Sequence, residues 1–206
     1  MNAHTRRLQV AGPAGMIAVA ADDPPHGAAP RGVAVVCHPH PQHGGTMDNK
    51  VAQTLARAFV QLGYRAVRFN FRGVGGSEGA WDEGRGEIDD ALAVIAAQRE
   101  PGLPLALAGF SFGAYVASQA AARLAGSEPV ERLVLVGPAT VNFSVAPVPP
   151  GTLVIHGESD EVVPLAATLD WARPQAMPVV VVPGVGHFFH GQLSLLKSIV
   201  TDAWHR

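Results

Sequence analysis

Apolar residues in this chain fall into two alternating patterns. Short continuous runs occur at Val33–Val36, Leu105–Leu107, Leu133–Val136, Leu153–Ile155 and Val179–Val182, with a less uniform one at Ala66–Phe69. Such runs suit strands covered on both faces, as in a parallel sheet. Between them, apolar positions recur at helical spacing. Val51, Leu55, Phe59 and Leu62 share a face and Gly63 follows as a stop; Ile88, Ala91, Leu92 and Ile95 do likewise. Val116, Ala117, Ala120 and Leu124 form a stripe ended by Gly126, and Pro164 fits the first turn of a helix carrying Leu165 and Leu169. Leu195, Leu196, Ile199, Val200 and Ala203 mark a last helix. At the start, Leu8–Ala11 and Met16–Ala21 read as strands around a Gly12-Pro13-Ala14-Gly15 turn. The pattern predicts one α/β domain over residues 1–206. It is a three-layer sandwich with a mostly parallel sheet and antiparallel N-terminal edge strands. Asp22–Arg31, with three prolines, reads as a surface loop.

Composition narrows the function classes. The 206 residues are 48% hydrophobic and 16% charged, enough apolar material for a core without cross-links. A net charge of -2 gives no electrostatic reason to expect nucleic acid or an anionic membrane as partner. No apolar run reaches the length of a membrane span. Arg6-Arg7 before an apolar stretch imitates an export signal, but the polar turn at Gly12–Gly15 breaks it. Cys37 is the one cysteine, so no internal disulfide forms. The expected location is cytoplasmic.

Candidate chemistry centres on Gly109-Phe110-Ser111-Phe112-Gly113. It follows the strand Leu105–Leu107 and opens the helix beginning near Phe112, which is the setting of a nucleophile elbow. A sharp strand-to-helix turn exposes the serine hydroxyl and demands glycine two residues to either side. Serine needs a base and the base an orienting acid, in the chain order serine, acid, histidine. Past Leu153–Ile155 lie Glu158, Asp160 and Glu161; past Val179–Val182 lie His187 and His190. All sit where strands end, the usual edge for active sites in open α/β sheets. His190 reads as already inside the last helix, and His156, ending a strand, as structural.

Further segments carry a resemblance. With its elbow the chain is similar to the α/β-hydrolase superfamily. Within it, the chain resembles a small bacterial group of lidless serine hydrolases through Cys37-His38-Pro39-His40-Pro41-Gln42-His43-Gly44-Gly45-Thr46-Met47-Asp48-Asn49-Lys50-Val51, Asn70-Phe71-Arg72-Gly73-Val74-Gly75-Gly76-Ser77 and His156-Gly157-Glu158-Ser159-Asp160-Glu161-Val162-Val163-Pro164. The likeness runs from about Val10 to Ala203. It implies Ser111 as nucleophile, Asp160 as acid and His187 as base. It also implies an oxyanion hole made by the backbone N–H of Phe112 and one from the loop after Val33–Val36. Pro39 and Pro41 have no N–H, which leaves His40 or Gln42. His40 is favoured, because His38-Pro39 stands where other members carry His-Gly before the donor.

Other readings of the same segments are weaker. His38, His40 and His43 imitate a zinc site, but the prolines hold successive side chains apart; no metal and no cofactor is expected. The glycine-rich run Arg72–Gly86 lacks a phosphate-binding pattern and reads as a flexible rim loop, with Trp81 either packing over the rim or anchoring the loop. Thr46 or Asp48 would cap the following helix. Many relatives insert a helical lid where this chain has only the thirteen residues Pro138–Pro150. An open, shallow site follows, suited to small acyl groups. The expected partner is a small ester or thioester, with a carboxylesterase first and a thioesterase or small-substrate peptidase as alternatives. A non-catalytic binding protein on the same fold is the competing class. A cysteine-nucleophile lactone hydrolase would need cysteine at position 111. The open rim also leaves room for a second subunit, so a homo-oligomer is compatible.

Overall fold

The computed structural model describes residues 5–127 and 129–204. Strands β1 (Arg6–Gly12) and β2 (Gly15–Asp22) form the N-terminal hairpin, paired antiparallel with Gly12 opposite Gly15. Then follow β3 (Val33–Cys37), α1 (Lys50–Gln61), β4 (Arg65–Phe69), α2 (Arg85–Gln98), β5 (Leu105–Phe110), α3 (Phe112–Leu124), β6 (Arg132–Val136), β7 (Leu153–Gly157), α4 (Leu165–Ala172), β8 (Val179–Val182) and α5 (Leu193–Ala203). They build an eight-stranded sheet in the order β1-β2-β4-β3-β5-β6-β7-β8. The pairings β1–β2 and β2–β4 are antiparallel, and every pairing from β4 to β8 is parallel. This is the α/β-hydrolase fold, without a lid.

Alternation along the strands divides the core in two. Val33 and Val35 point to one face, with Ile88, Val94 and Ile95 of α2 and Val116 and Ala120 of α3. Ala34 and Val36 point to the other, with Val51, Leu55 and Phe59 of α1 and Leu196 and Val200 of α5. Both faces of β3 and β5 are therefore buried, and the strands read as continuous apolar runs. The run at β8 has a different cause. It is an edge strand, and Val180 and Val181 are each 37% exposed. β-branched residues there serve strand propensity rather than a second covered face.

Several local expectations need correction. The cap of α1 is Asn49, whose Oδ1 accepts from the N–H groups of Val51 (2.9 Å) and Ala52 (3.3 Å). Asp48 is drawn away to Arg68 and Arg7. Pro164 precedes α4 as its cap residue instead of entering the first turn. His190 lies in the loop before α5, which begins at Leu193. The Arg72–Gly86 segment is not a flexible loop, because its two ends are tied down. Arg72 grips the buried Asp90 with Nη2 to Oδ1 at 2.7 Å and Nε to Oδ2 at 2.9 Å, and Nη2 also donates to the Gly86 carbonyl. The buried Glu87 carboxylate accepts from the Asp82 and Gly84 N–H groups. Bidentate, charge-assisted bonds of this kind fix geometry as well as adding energy.

A tight joint lies between β3, β5 and α3. A side chain on Gly113 would run into the carbonyl oxygens of Cys37 and His38, and one on Gly109 into the Gly113 carbonyl. Gly113→Ala should therefore destabilise the fold by about 3 kcal/mol or more, since the obstacle is backbone. Gly126→Ala, with open space around it, is the matched control and should lie within about 0.5 kcal/mol of wild type. Urea denaturation of both variants checks the pair.

Candidate active site

The strand-to-helix turn after β5 forces Ser111 into a left-handed conformation, φ 57° and ψ -118°. A non-glycine residue held there is strained, and strain of this kind persists only where the surroundings impose it. The surroundings do so through backbone hydrogen bonds. The Ser111 N–H donates to the Val136 carbonyl at 2.9 Å, and the Ser111 carbonyl accepts from Ala114 (3.0 Å) and Ala139 (3.3 Å). The Ser111 hydroxyl does not cap α3. The serine is recessed, 8% exposed, although no lid covers it.

Asp160 and His187 come from the loops after β7 and β8 and meet at the same edge of the sheet. His187 Nδ1 lies 2.6 Å from Asp160 Oδ2, and both side chains are buried. The second carboxylate oxygen, Oδ1, accepts from the N–H groups of Val162 (2.9 Å) and Val163 (2.8 Å). Burial alone would raise the pKa of this carboxyl. The hydrogen bonds from His187, Val163 and Val162 outweigh it and hold the group below the usual carboxylate range. An ionised Asp160 fixes Nδ1 of His187 as the protonated nitrogen and leaves Nε2 as the basic one. The His187 ring rests on Phe110 at 4.8 Å between centroids and meets Phe188 edge-on at 5.0 Å. The rival acids have other settings: Glu158 accepts from the Gly184 N–H, and Glu161 lines the cavity that adjoins His187.

The loop after β3 is built around two histidines. His38 is fully buried. Its Nε2 accepts from the Phe71 N–H at 3.1 Å, so its Nδ1 carries the proton and donates to the Pro39 carbonyl at 2.6 Å. Burial pushes its pKa down to about 4, against a smaller raising by the Pro39 bond. Met47 N–H donates to Asn70 Oδ1, and Arg68 donates to the Met47 carbonyl while pairing with buried Asp22 at 3.1 Å. The end of β4 thus holds the loop from three positions. The N–H of Gln42 is taken by His40 Nδ1 at 3.3 Å. Among the described residues, neither the His40 nor the Phe112 N–H has a protein acceptor. The His40 ring stacks on His43 (4.4 Å) and packs on Trp81 (4.7 Å) and Phe112 (5.2 Å). Trp81 therefore covers the rim, a role its sequence context leaves open.

One chemically relevant neighbour goes unflagged by sequence patterns. His156, which ends β7, sits 3.4 Å from Asp160 Oδ2. Only its position four residues before Asp160 hints at this, and four residues across a strand end and a turn fix no distance.

Comparison with known proteins accords with this geometry. The profile of the family described as serine aminopeptidase, S33 (Hydrolase_4) matches residues 28–150, and the chain belongs to that family. The match includes Ser111 and stops short of Asp160 and His187. An α/β serine hydrolase without lid from Xanthomonas campestris shares 41% identity and superposes with a TM-score of 0.90, over 100% of this chain and 96% of its own. An α/β serine hydrolase homologue from Coxiella burnetii gives 37% identity and 0.81, over 96% of each chain. A Rickettsia prowazekii protein is 33% identical across 82% of this chain and 77% of its own length. Fold and family together define a lidless α/β serine hydrolase.

The buried histidines set a pH dependence. The unfolded chain binds a proton on His38 near pH 6.5, whereas the folded chain does so only near 4. The unfolded state binds more protons between these values, so this contribution to stability is complete above about pH 6.5 and falls as pH drops towards 4. His40 and His156, both also lowered by burial, act in the same direction. The urea midpoint should fall from pH 7 to pH 5. His38→Gln, which keeps a donor and an acceptor, should show a shallower fall.

Proposed function

We propose that the protein hydrolyses small carboxylic esters through a covalent acyl-enzyme on Ser111. The observation that carries this reading is the buried 2.6 Å contact of His187 Nδ1 with Asp160, at the sheet edge that also presents the strained Ser111. In the proposed cycle His187 Nε2 takes the Ser111 proton as Oγ bonds to the ester carbonyl carbon. The carbonyl π pair moves onto oxygen, which the N–H groups of Phe112 and His40 stabilise. The carbon–oxygen bond to the alcohol then breaks, and His187 returns the proton to that alcohol. Water, deprotonated in turn by His187, releases the acid and restores Ser111. The free N–H groups of His40 and Phe112 support the oxyanion assignment, and the engaged N–H of Gln42 favours His40 over it.

The surroundings support a preference within esters. A cavity of about 480 Å³ adjoins His187 between the loops after β7 and β8, lined in part by Val162 and Phe188, which are 53% and 45% exposed. The cavity adjoins the proposed general acid, and on that ground we assign it to the alcohol half of the ester, with Glu161, His190 and Gln192 among its polar lining. We place the acyl half against the partly exposed rings of His40, Trp81 and Phe143, which pack over the buried Phe112. The substrate class is thus a short acyl group on a larger, partly apolar alcohol.

Hydrolysis of p-nitrophenyl esters from acetate to palmitate should be fastest at short chains. Ser111→Ala should lose activity by a factor of about 10³ or more and escape labelling by a fluorophosphonate. Turnover of thioesters alone would move the reading to a thioesterase. Absence of both turnover and labelling would favour a non-catalytic binding protein. At constant acetyl group, Phe188→Ala should raise KM about fivefold for a 2-naphthyl ester, equivalent to about 1 kcal/mol of apolar contact, and leave the methyl ester unchanged.

A further inference from the structure

The catalytic cycle just proposed makes no use of His156, yet the histidine is fully buried beside its acid. His156 Nε2 faces two acceptor oxygens, the Val163 carbonyl at 2.9 Å and Asp160 Oδ2 at 3.4 Å. A ring nitrogen between two acceptors must carry the proton, so Nδ1 holds the lone pair. That Nδ1 is buried and has no hydrogen-bond partner. Burial lowers the pKa of the ring, so the neutral form is the one present. An orphaned buried acceptor is destabilising, and a leucine or phenylalanine at the end of β7 would avoid it. The position therefore has a use besides filling space.

The use is visible in the bonds of Val163. Its carbonyl accepts from His156, and its N–H donates to Asp160 Oδ1 at 2.8 Å. Asp160 Oδ2 receives His187. One residue of the acid loop is thus clamped between the two side chains, and the order of contacts is His156, Val163, Asp160, His187. We propose that His156 is a positioning residue: it fixes the turn Asp160–Val163 and, through it, the carboxylate orientation that His187 requires. The inference rests on the hydrolase reading above for its effect on rate, but not for its effect on geometry. Among the described residues, the charged or titratable groups bearing on His156 are Asp160 from its own loop and His187 from the loop after β8.

Loss of the donor should loosen Asp160, weaken its pairing with the His187 imidazolium and lower the pKa of His187. The test compares His156→Phe, which keeps ring volume without a donor, and His156→Gln, whose amide still donates. Turnover of a short ester and the titration of His187, followed by NMR of histidine-labelled protein, are measured for both. His156→Phe should lose kcat at least tenfold with KM within twofold, and its His187 midpoint should fall by at least half a pH unit. His156→Gln should recover at least a third of the wild-type kcat and most of the shift. A tenfold loss of kcat with an unmoved His187 midpoint would mark His156 as merely structural and overturn the proposal; so would kcat and midpoint both unchanged. If His156→Phe does not fold, His156→Met replaces it under the same criteria. A wild type inert to esters and fluorophosphonate sinks the hydrolase reading, and the His187 titration still decides the tether.

Discussion

Close contact between backbones, made where β3 and β5 deliver their chains to the first turn of α3, is the constraint on which the site depends. Gly109 and Gly113 let the helix start sit against the carbonyls of Cys37 and His38. With both neighbours fixed, the residue between them has no relaxed conformation open to it, and Ser111 takes a positive φ. The same approach sets the Phe112 ring against that of His40, 5.2 Å between centroids, and among the described residues neither residue's N–H has a protein acceptor. The proposed nucleophile and the proposed oxyanion donors both belong to this one joint.

Away from that joint, the polar interior of the site is held almost entirely by main-chain partners. Asp160 binds two backbone N–H groups, His38 spans a carbonyl and an N–H, and His156 takes the Val163 carbonyl. Backbone groups are fixed by the sheet and lose little freedom when they bind, which suits groups that must stay aligned. Among the described residues, two buried side-chain atoms depart from this economy, His156 Nδ1 and Nε of Arg68. Each belongs to a side chain that bridges a functional loop to the sheet.

Much of this was legible in the residue order. Strand ends and helix faces follow from period alone, and the elbow from its glycines in a strand-to-helix context. Asp160 and His187 emerge as candidates because loops at strand ends converge. What the order of residues conceals is whatever depends on tertiary partners. Val179–Val182 resembles its interior neighbours in composition, and only sheet order makes it an edge. The glycine-rich stretch after β4 looks flexible until Arg72 finds Asp90, eighteen residues on. Asn49, Asp48 and Thr46 are all good caps, and the choice falls to Asn49 because Arg68 and Arg7 engage Asp48. His156 reads as structural because its distance to Asp160 depends on the path of a turn.

The pinned segment Arg72–Gly86 has a consequence for how such an enzyme discriminates. With its ends anchored by Arg72 and Glu87 and Trp81 already seated on His40, this side of the mouth is preassembled. Closure, which elsewhere commits a bound molecule to reaction, is not needed to bring this wall into place. On the hydrolase reading proposed above, a substrate meets a wall already in place rather than one that forms around it. On that reading, selectivity rests on stationary walls rather than on capture.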